Sequence, residues 1–367
     1  MEKRLYPKLI LDALSHVRYP GTGKDIVSGG MVEDDIRIDG MKVSFSLIFD
    51  KPTDPFARSL AKSAEAALKT YIGDEVEPTV AVKFRTAAPA KPANPLPGVK
   101  NIIGVSSGKG GVGKSTIAVN LAVSLAQLGY KVGLLDADIF GPSAPKMFGL
   151  EDAPVYMSQK DDGRNLIEPL ERYGVKVLSI GFLVDKDQAV LWRGGMASNA
   201  LRQLITEADW GELDYFIIDM PPGTSDIHLT LVQTLAITGA IVVTTPQDVA
   251  LADARKGVSM FQSDKVNVPI LGIVENMSWF TPAAHPDEKY YIFGKDGGKN
   301  LAEKLGVKLL GQIPLVASIC KGGDDGMPVT LQNSVSGAAF IELAREVAAA
   351  TDLRNSTLPP THKVEMN

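Results

Sequence analysis

A glycine-rich stretch between two apolar segments constrains the fold of this chain more than any other feature. Residues 108–115 read Gly-Lys-Gly-Gly-Val-Gly-Lys-Ser and match the pattern GxxxxGK(S/T). Residues 101–106 before it predict a strand, and apolar residues at helical spacing follow it, so the match lies in the strand–loop–helix context that the pattern requires. Glycines let backbone N–H groups turn toward phosphate oxygens, and the N-terminus of the helix adds partial positive charge. The stretch therefore predicts a phosphate-binding loop rather than a glycine-rich turn without a ligand.

Two side chains of this loop predict the ligand more closely. The ammonium group of Lys114 is expected to reach the β- and γ-phosphates of a nucleotide, and the hydroxyl of Ser115 to ligate Mg²⁺. The sequence thus predicts ATP and Mg²⁺ as cofactors and an ATPase in which water attacks the γ-phosphate. The residues expected to contact the nucleotide are those of the loop and of the first helical turn: Gly108, Lys109, Gly110, Gly111, Val112, Gly113, Lys114, Ser115 and Thr116.

Three aspartates at the ends of predicted strands fit the same site, because ligands of open α/β sheets bind beyond the carboxyl ends of the strands. Asp136 and Asp138 lie in the segment LLDAD, and Asp219 ends the segment DYFIID, which resembles a Walker B strand. We expect Asp138 to orient or activate the attacking water. We expect Asp136 to support the Mg²⁺ shell and Asp219 to hold Mg²⁺ through water. For Asp136, helix capping is the alternative.

Short apolar strands alternate with helical stretches along most of the chain. Runs of β-branched residues without polar alternation indicate strands that are buried on both faces. The pattern predicts an α/β fold: a doubly wound, mostly parallel sheet with helices on both sides, in a P-loop NTPase domain. The strands are expected over residues 101–106, 131–135, 175–180, 215–218, 240–245, 270–274 and 308–313.

A proline-rich stretch divides the chain. Residues 86–98 read TAAPAKPANPLPG, with four prolines and no apolar periodicity, which is typical of an extended interdomain linker. Before it, a small α+β domain is predicted by helical spacing over 5–17 and 57–68 and by strand alternation over 36–49 and 79–84. We therefore expect four parts: a small α+β domain over 1–85, a Pro/Ala linker over 86–98, the ATPase domain over 99–353 and a polar tail over 354–367.

Composition excludes several classes of function. The 367 residues include 38 basic and 43 acidic ones, so there is no basic excess of the kind that general nucleic-acid binding needs. The longest apolar runs fall far short of the ~18 residues of a membrane helix, and the N-terminal residues show no signal peptide. We therefore expect a cytoplasmic protein with no nucleic-acid and no membrane partner. The one cysteine, Cys320, excludes an intrachain disulfide and a cysteine-only metal site within one chain.

The phosphate loop resembles that of a particular group of ATPases. Residues 109–116 read KGGVGKST, which is similar to the deviant Walker A loop of the MinD, ParA and nitrogenase iron-protein ATPases. The resemblance implies a homodimer in which Lys109 reaches across the interface and acts in catalysis with Lys114 and Asp138; a solvated charge is the alternative for Lys109. It also implies that Asn276, in the segment ENM, hydrogen-bonds the nucleotide base, for which its amide has both a donor and an acceptor. The alternative for Asn276 is a turn residue at a strand end.

Longer segments resemble one family of this group, the Mrp/ApbC ATPases. The resemblance implies a dimeric ATPase that binds iron–sulfur clusters and transfers them to apoprotein clients in the cytoplasm. It covers residues from about 100 to about 328, and the segment DIVSGGMV extends it to the small domain. The other similar segments are IFGPSAPKMFG, WRGGMASNAL, MPPGTSDIHLTLVQ, TTPQDVALADARKGVSMF and LGIVENMS.

The chain departs from the family pattern at the cluster ligands. Family members carry a CxxC after the segment ENMS, and here the two cysteine positions are Pro282 and His285. A dimer without these four thiolates cannot form the cluster bridge that the family uses. His285 and Cys320 from two chains could form a His₂Cys₂ set; the simpler interpretation is that His285 is an exposed loop residue and Cys320 a small, semi-buried one. The alternative function is a cluster-free regulatory or positioning ATPase of the ParA/MinD type.

Overall fold

The chain folds into two compact units, Met1–Pro92 and Ala93–Asn367. The structure is a computed structural model that describes residues 5–20, 22–33, 35–49, 54–84, 94–160, 163–183, 194–282, 285 and 288–364. Leu96 is buried in an apolar cluster of the larger unit, so the last part of the predicted linker packs with that unit. The remainder of the linker, up to residue 93, lies outside the described residues.

The smaller unit is a three-stranded sheet with two helices. Its sheet has the order β1-β2-β3, in which β1 and β2 are antiparallel and β2 and β3 are parallel. Gly40 forms the hairpin turn between β1 and β2 with a φ angle of +61°. The apolar faces of both helices and of the sheet pack into one cluster that includes Leu14, Phe45 and Leu68. The elements are α1 (Pro7–Leu14), β1 (Arg37–Asp39), β2 (Lys42–Phe49), α2 (Ala57–Tyr71) and β3 (Glu77–Phe84).

The larger unit alternates strands and helices along the chain. Its strands are β4 (Val99–Ser107), β5 (Val132–Asp136), β6 (Met157–Gln159), β7 (Asn165–Ile167), β8 (Leu170–Arg172), β9 (Val175–Ser179), β10 (Leu213–Asp219), β11 (Gly239–Thr244), β12 (Ile270–Glu275) and β13 (Leu309–Gln312). Its α-helices are α3 (Lys114–Gln127), α4 (Ala144–Met147), α5 (Gly194–Thr206), α6 (Asp226–Thr234), α7 (Asp248–Gln262), α8 (Gly297–Leu305), α9 (Ala317–Asp324) and α10 (Val335–Thr357).

Eight of these strands form one twisted sheet in the order β13-β12-β11-β4-β10-β5-β9-β8. Every neighbouring pair is parallel except β8 and β9, which are antiparallel. Apolar clusters cover the two faces: one includes residues of α3 and α10, another includes residues of α5 and α6, and a third, smaller one includes residues of α7 and α8. The fold is therefore the predicted doubly wound, mostly parallel α/β sheet. The seven predicted strands are present as β4, β5, β9, β10, β11, β12 and β13, with small shifts of their ends.

The sequence pattern missed β6, β7 and β8. Each has three residues, which is too short for periodicity to distinguish a strand from a loop. At the other end of the chain, α10 continues to Thr357, so the first residues of the predicted polar tail are helical. Beyond it, the Val364 N–H donates to the carbonyl oxygen of Val232 at 3.0 Å. None of the helices in the described part of the chain is long and apolar enough to cross a membrane.

Candidate functional site

The loop after β4 needs glycine for two different reasons. Gly111 and Gly113 both adopt φ angles of +82°, a region that is strained for residues with a Cβ atom. At Gly108 the reason is space, because a Cβ atom there would lie 2.1 Å from the backbone carbonyl carbon of Asp253 in α7. The loop thus turns tightly, lies directly against α7 and leads into α3 at Lys114. Its backbone N–H groups and the N-terminus of α3 meet at the carboxyl edge of the sheet.

The side chain of Lys114 lies between two carboxylates. Its Nζ atom is 2.5 Å from Asp219 Oδ1 and 3.4 Å from Asp138 Oδ2, and it donates to Ser115 Oγ at 3.2 Å. Only 6% of the residue is exposed. Burial lowers the pKa of Lys114, but the charges of Asp219 and Asp138 outweigh burial, and the pKa is raised overall. The ammonium group therefore stays charged, although it is buried.

Asp219 ends β10 and is fully buried. Its Oδ1 atom accepts from Lys114, whereas its Oδ2 atom has no hydrogen-bond partner in the described part of the chain. Burial raises the pKa of this carboxyl, and the Lys114 ammonium opposes the rise. A buried carboxylate oxygen without a donor, near the hydroxyl of Ser115, fits Mg²⁺, since this ion takes carboxylate, hydroxyl and water oxygens as ligands.

Asp136 has partners within its own chain. Its carboxylate accepts from the Asp138 N–H at 3.1 Å, from the Ala144 N–H at 3.0 Å and from the Ser179 hydroxyl at 3.0 Å. Burial, with a smaller contribution from the charge of Asp219, raises the pKa of Asp136 to about 7. Because Ala144 is the first residue of α4, these contacts favour the alternative of helix capping. A contribution of Asp136 to the Mg²⁺ shell stays a prediction.

Asp138 and Lys109 have fewer partners. Asp138 is buried, and its carboxylate makes the 3.4 Å contact with Lys114. Lys109 is half-buried; its carbonyl oxygen accepts from the Ser107 hydroxyl at 2.9 Å, and its ammonium forms no ion pair with any residue that the structure describes. Roles for both residues in catalysis stay predictions.

Asn276 contacts the phosphate loop directly. Its Nδ2 atom donates to the Val112 carbonyl oxygen at 2.9 Å, and the same atom would lie 2.2 Å from a Cβ atom at Gly113. One of the two amide N–H donors is therefore used within the chain, and the second N–H and the amide oxygen remain for a base. A contact between Asn276 and the base stays a prediction. Sequence reasoning missed the hydrogen bond from Asn276 to the Val112 carbonyl oxygen.

Sequence reasoning also missed Glu275, which ends β12 beside Asn276. Its buried carboxylate accepts from the Gly298 N–H at 2.5 Å and from Gln312 Nε2 at 2.8 Å. These bonds attach the end of β12 to α8 and β13. The signal was present, because a carboxylate at the end of an apolar strand is the same feature that identified Asp136 and Asp219.

A buried histidine connects two segments of the site. The Ser225 N–H donates to His228 Nδ1 at 3.2 Å, so the ring proton lies on Nε2, which is 3.5 Å from Ser106 Oγ. Burial lowers the pKa of His228 to about 4, which keeps the ring neutral. Since Ser106 is in β4 and Ser225 caps α6, the ring links the segment after β10 to the strand that leads into the phosphate loop. The pattern Ser-x-x-His at a helix start could have identified it.

The candidate cluster ligands are exposed. His285 lies at the surface, where its Nδ1 atom is 3.6 Å from Glu288 Oε1. The predicted partial burial of Cys320 is wrong: the residue is exposed, because it lies on the outer face of α9, and its Sγ atom is 3.7 Å from Asp324 Oδ2. Within the described ranges, no group of three or more His, Cys, Asp or Glu side chains is arranged to hold a metal ion.

Comparison with known proteins agrees with this geometry. Residues 98–348 match the family described as NUBPL iron-transfer P-loop NTPase, and residues 8–82 match the family described as iron–sulfur cluster assembly protein. The chain belongs to the NUBPL iron-transfer family of P-loop NTPases. The phosphate loop, all three aspartates and Asn276 lie within the matched range. The resemblance to Mrp/ApbC iron–sulfur carriers is thereby confirmed.

Relatives in this family are similar over nearly the whole chain. The iron–sulfur cluster carrier protein of Synechocystis is 45% identical over 350 residues, which cover 94% of this chain and 97% of the relative. The protein of the same name from Deinococcus radiodurans is 42% identical over 353 residues, which cover 95% of this chain and 97% of the relative.

A solved structure shows the same P-loop NTPase architecture. The nucleotide-binding protein of Archaeoglobus fulgidus in complex with ADP superposes with a TM-score of 0.56 at 38% identity, over 65% of this chain and 90% of that one. The septum site-determining protein MinD of Pyrococcus horikoshii, complexed with Mg-ADP, gives a TM-score of 0.50 at 25% identity, over 69% of this chain and 98% of that one.

Proposed function

We propose that this chain is an ATP-hydrolysing homodimer that carries iron–sulfur clusters to apoproteins. The observation that carries the enzymatic part is the buried Lys114 ammonium between Asp219 and Asp138, at the start of the helix that follows the phosphate loop. The complex of the Archaeoglobus relative with ADP supports nucleotide binding. The Synechocystis and Deinococcus relatives are named iron–sulfur cluster carrier proteins, which supports cluster carriage.

In this proposal the chain holds the nucleotide and positions the attacking water. The loop N–H groups and Lys114 bind the β- and γ-phosphates, and the Asp138 carboxylate accepts a hydrogen bond from the water and orients it in line with the γ-phosphate. Ser115 and Asp219 would hold Mg²⁺. The ion, when bound, neutralises charge on the phosphate oxygens. The neutral His228 ring keeps the segment that follows Asp219 attached to β4.

Phosphate release tests the enzymatic part. We expect Lys114→Met to abolish release of inorganic phosphate from Mg·ATP, because the ammonium would no longer compensate phosphate charge in a largely dry site. Lys131→Met is the matched control, since Lys131 is an exposed lysine at the opposite edge of the sheet. Turnover of Lys114→Met at the wild-type rate would contradict the assignment.

A mixing experiment tests the homodimer and the role of Lys109. Asp138 belongs to the site of its own chain, whereas Lys109 would act on the nucleotide of the other chain. A mixture of Lys109→Ala and Asp138→Asn chains therefore contains heterodimers in which one site has both groups intact. With equal amounts and random pairing, we expect about a quarter of wild-type activity from two nearly inactive parents. Activity that is only the sum of the two parents, or a chain that stays monomeric with ATP, would refute the trans role.

Cluster carriage requires ligands beyond the single cysteine. A homodimer of this chain contains two cysteines, so a bound cluster must also use histidine such as His285 or an external thiol such as glutathione. With fewer thiolates, we expect weak, oxygen-labile cluster retention. Iron and sulfide analysis after anaerobic reconstitution measures it. We expect Cys320→Ser to leave phosphate release nearly unchanged, since Cys320 is outside the phosphate site.

The second candidate function is a regulatory ATPase without a cluster. The presence of Pro282 and His285 at the family's cysteine positions favours it. The absence of iron under every anaerobic condition would support this candidate. A stoichiometric cluster that is lost in Cys320→Ser would support direct carriage.

A further inference from the structure

A cleft lies at the edge of the large sheet that is opposite the phosphate loop. It is formed by the turn that precedes β12 and by the segment that follows α10, and its volume is about 460 Å³. The contact between Asn355 Nδ2 and Asn101 Oδ1, 2.8 Å long, places the end of α10 beside the start of β4. The cleft therefore lies at the amino ends of the strands. The candidate active site lies at their carboxyl ends, so the two sites are separate.

Arg354 is the unusual group in this cleft. Only 8% of the residue is exposed. Its Nη2 atom donates to the Pro359 carbonyl oxygen at 2.6 Å and its Nη1 atom to Asn355 Oδ1 at 3.2 Å. Its buried Nε atom has no partner, and the guanidinium forms no ion pair with the carboxylates of the described residues. Arginine is rarely buried without an anionic partner, because removing an unpaired charge from water is unfavourable.

Other positively charged side chains lie around the cleft besides Arg354. Lys265 and Lys363 line it together with Arg354, and Asp264 is the one carboxylate in the described lining. Asp264 and Lys265 are exposed, whereas Lys363 is half-buried. His362 lines the same cleft and is exposed. In the described lining, three permanent cations thus accompany one carboxylate, although the net charge of the chain is −5.

We propose that this cleft is a binding site for a small anion of the phosphate or carboxylate type. Arg354 would supply its charge and the remaining N–H groups of its two Nη atoms, since a planar guanidinium matches both kinds of oxyanion. Lys265 and Lys363 would add charge from the two sides of the cleft. The bound anion would hold the segment 358–364 against the turn before β12, at a distance from the nucleotide.

Proton NMR of the His362 ring tests the proposal on the full chain. Mg·ADP is kept in excess to occupy the phosphate loop, and inorganic phosphate and citrate are added in separate titrations. His16 and His285, which are exposed and outside the cleft, serve as internal references. We expect a saturable shift of the His362 signals with at least one anion. The anion that binds more tightly shows whether the cleft prefers phosphate or carboxylate oxygens.

Variants show whether Arg354 binds an anion or only braces the Pro359 carbonyl. We expect Arg354→Gln to weaken binding about tenfold or more, as for loss of a charge-assisted hydrogen bond. Lys265→Gln should weaken it about threefold, because one charge at the rim is removed. Lys299→Gln, on the exposed side of α8 and outside the cleft, is the matched control and should leave binding unchanged.

Two results would overturn the proposal. In the first, the His362 signals shift no more than those of His16 and His285 with both anions. In the second, the affinity of Arg354→Gln equals that of the wild type, so Arg354 only braces the Pro359 carbonyl, or the affinity of Lys265→Gln equals it, so the charge at the rim takes no part in binding. The Lys265 side chain is exposed and forms no hydrogen bond or ion pair with the described residues, so its variant keeps the test valid if Arg354→Gln disturbs the segment after α10.

Discussion

Replacing Lys114 with methionine tests the interaction between the Lys114 ammonium and the carboxylates of Asp219 and Asp138. The measured quantity is the free energy of unfolding. The change keeps the apolar stem and removes the ammonium group, which is 2.5 Å from Asp219 Oδ1 and 3.4 Å from Asp138 Oδ2. Because Lys114 and Asp219 are both buried, the variant leaves a buried carboxylate without its cation. Removing one partner of a buried pair destabilises a protein by about 3–5 kcal/mol, and we expect a loss of this size at pH 8.

The loss should become smaller at lower pH. Burial already raises the pKa of Asp219, and Lys114 opposes the rise. Without Lys114, the folded-state pKa of Asp219 moves further above its unfolded value, so the folded state is destabilised as the pH rises through that pKa. As the pH falls, the buried carboxyl takes up a proton and the unfavourable charge disappears. We therefore expect a smaller deficit at pH 5.5 than at pH 8.

Urea unfolding followed by tryptophan fluorescence provides the measurement. All three tryptophans lie between residues 93 and 367, so the signal reports on the larger unit. Lys131→Met, at an exposed lysine, should change the free energy of unfolding by less than about 0.5 kcal/mol. Lys114→Met combined with Asp219→Asn should recover part of the loss, since the fully buried carboxylate is then removed and only Asp138 still lacks its cation. A loss below about 1 kcal/mol at pH 8, or an equal loss at both pH values, would refute the reasoning.

The remaining predictions use the same unfolding assay. Burial lowers the pKa of His228 from 6.5 to about 4, so the wild type should lose up to about 3 kcal/mol of stability as the pH falls through this range. His228→Gln should flatten that dependence, and an unchanged pH profile would contradict the assigned neutral state. Gly113→Ala should lose about 1–3 kcal/mol, because φ is +82° and the new Cβ would displace Asn276. Gly111→Ala, which has the same φ of +82° but open space around the new Cβ, should lose less; equal losses would show that the contact with Asn276 is unimportant.

Local patterns in the chain predicted the fold class and seven of the eight strands of the large sheet. The continuous apolar run before residue 108 and the helical stripe after it predicted β4 and α3, and the glycines between them matched two positive φ angles. Apolar runs likewise predicted the strands of the parallel sheet, because burial on both faces selects β-branched residues regardless of what each strand pairs with. The ends of these strands then identified Asp136 and Asp219, which lie opposite each other in the register of β5 and β10.

Only the tertiary structure decided which polar groups meet. Lys114 and Asp219 are 105 positions apart in the chain, and Asn276 and Val112 are 164 positions apart. Sequence spacing carries no information on such pairs, whose members are brought together by the order of strands in the sheet. Asp136 shows the consequence: its position at a strand end was predictable, whereas its three hydrogen-bond donors come from residues 138, 144 and 179. The exposure of Cys320 and the unpaired Nε of Arg354 have the same origin, because burial of a side chain depends on what the rest of the fold packs against it.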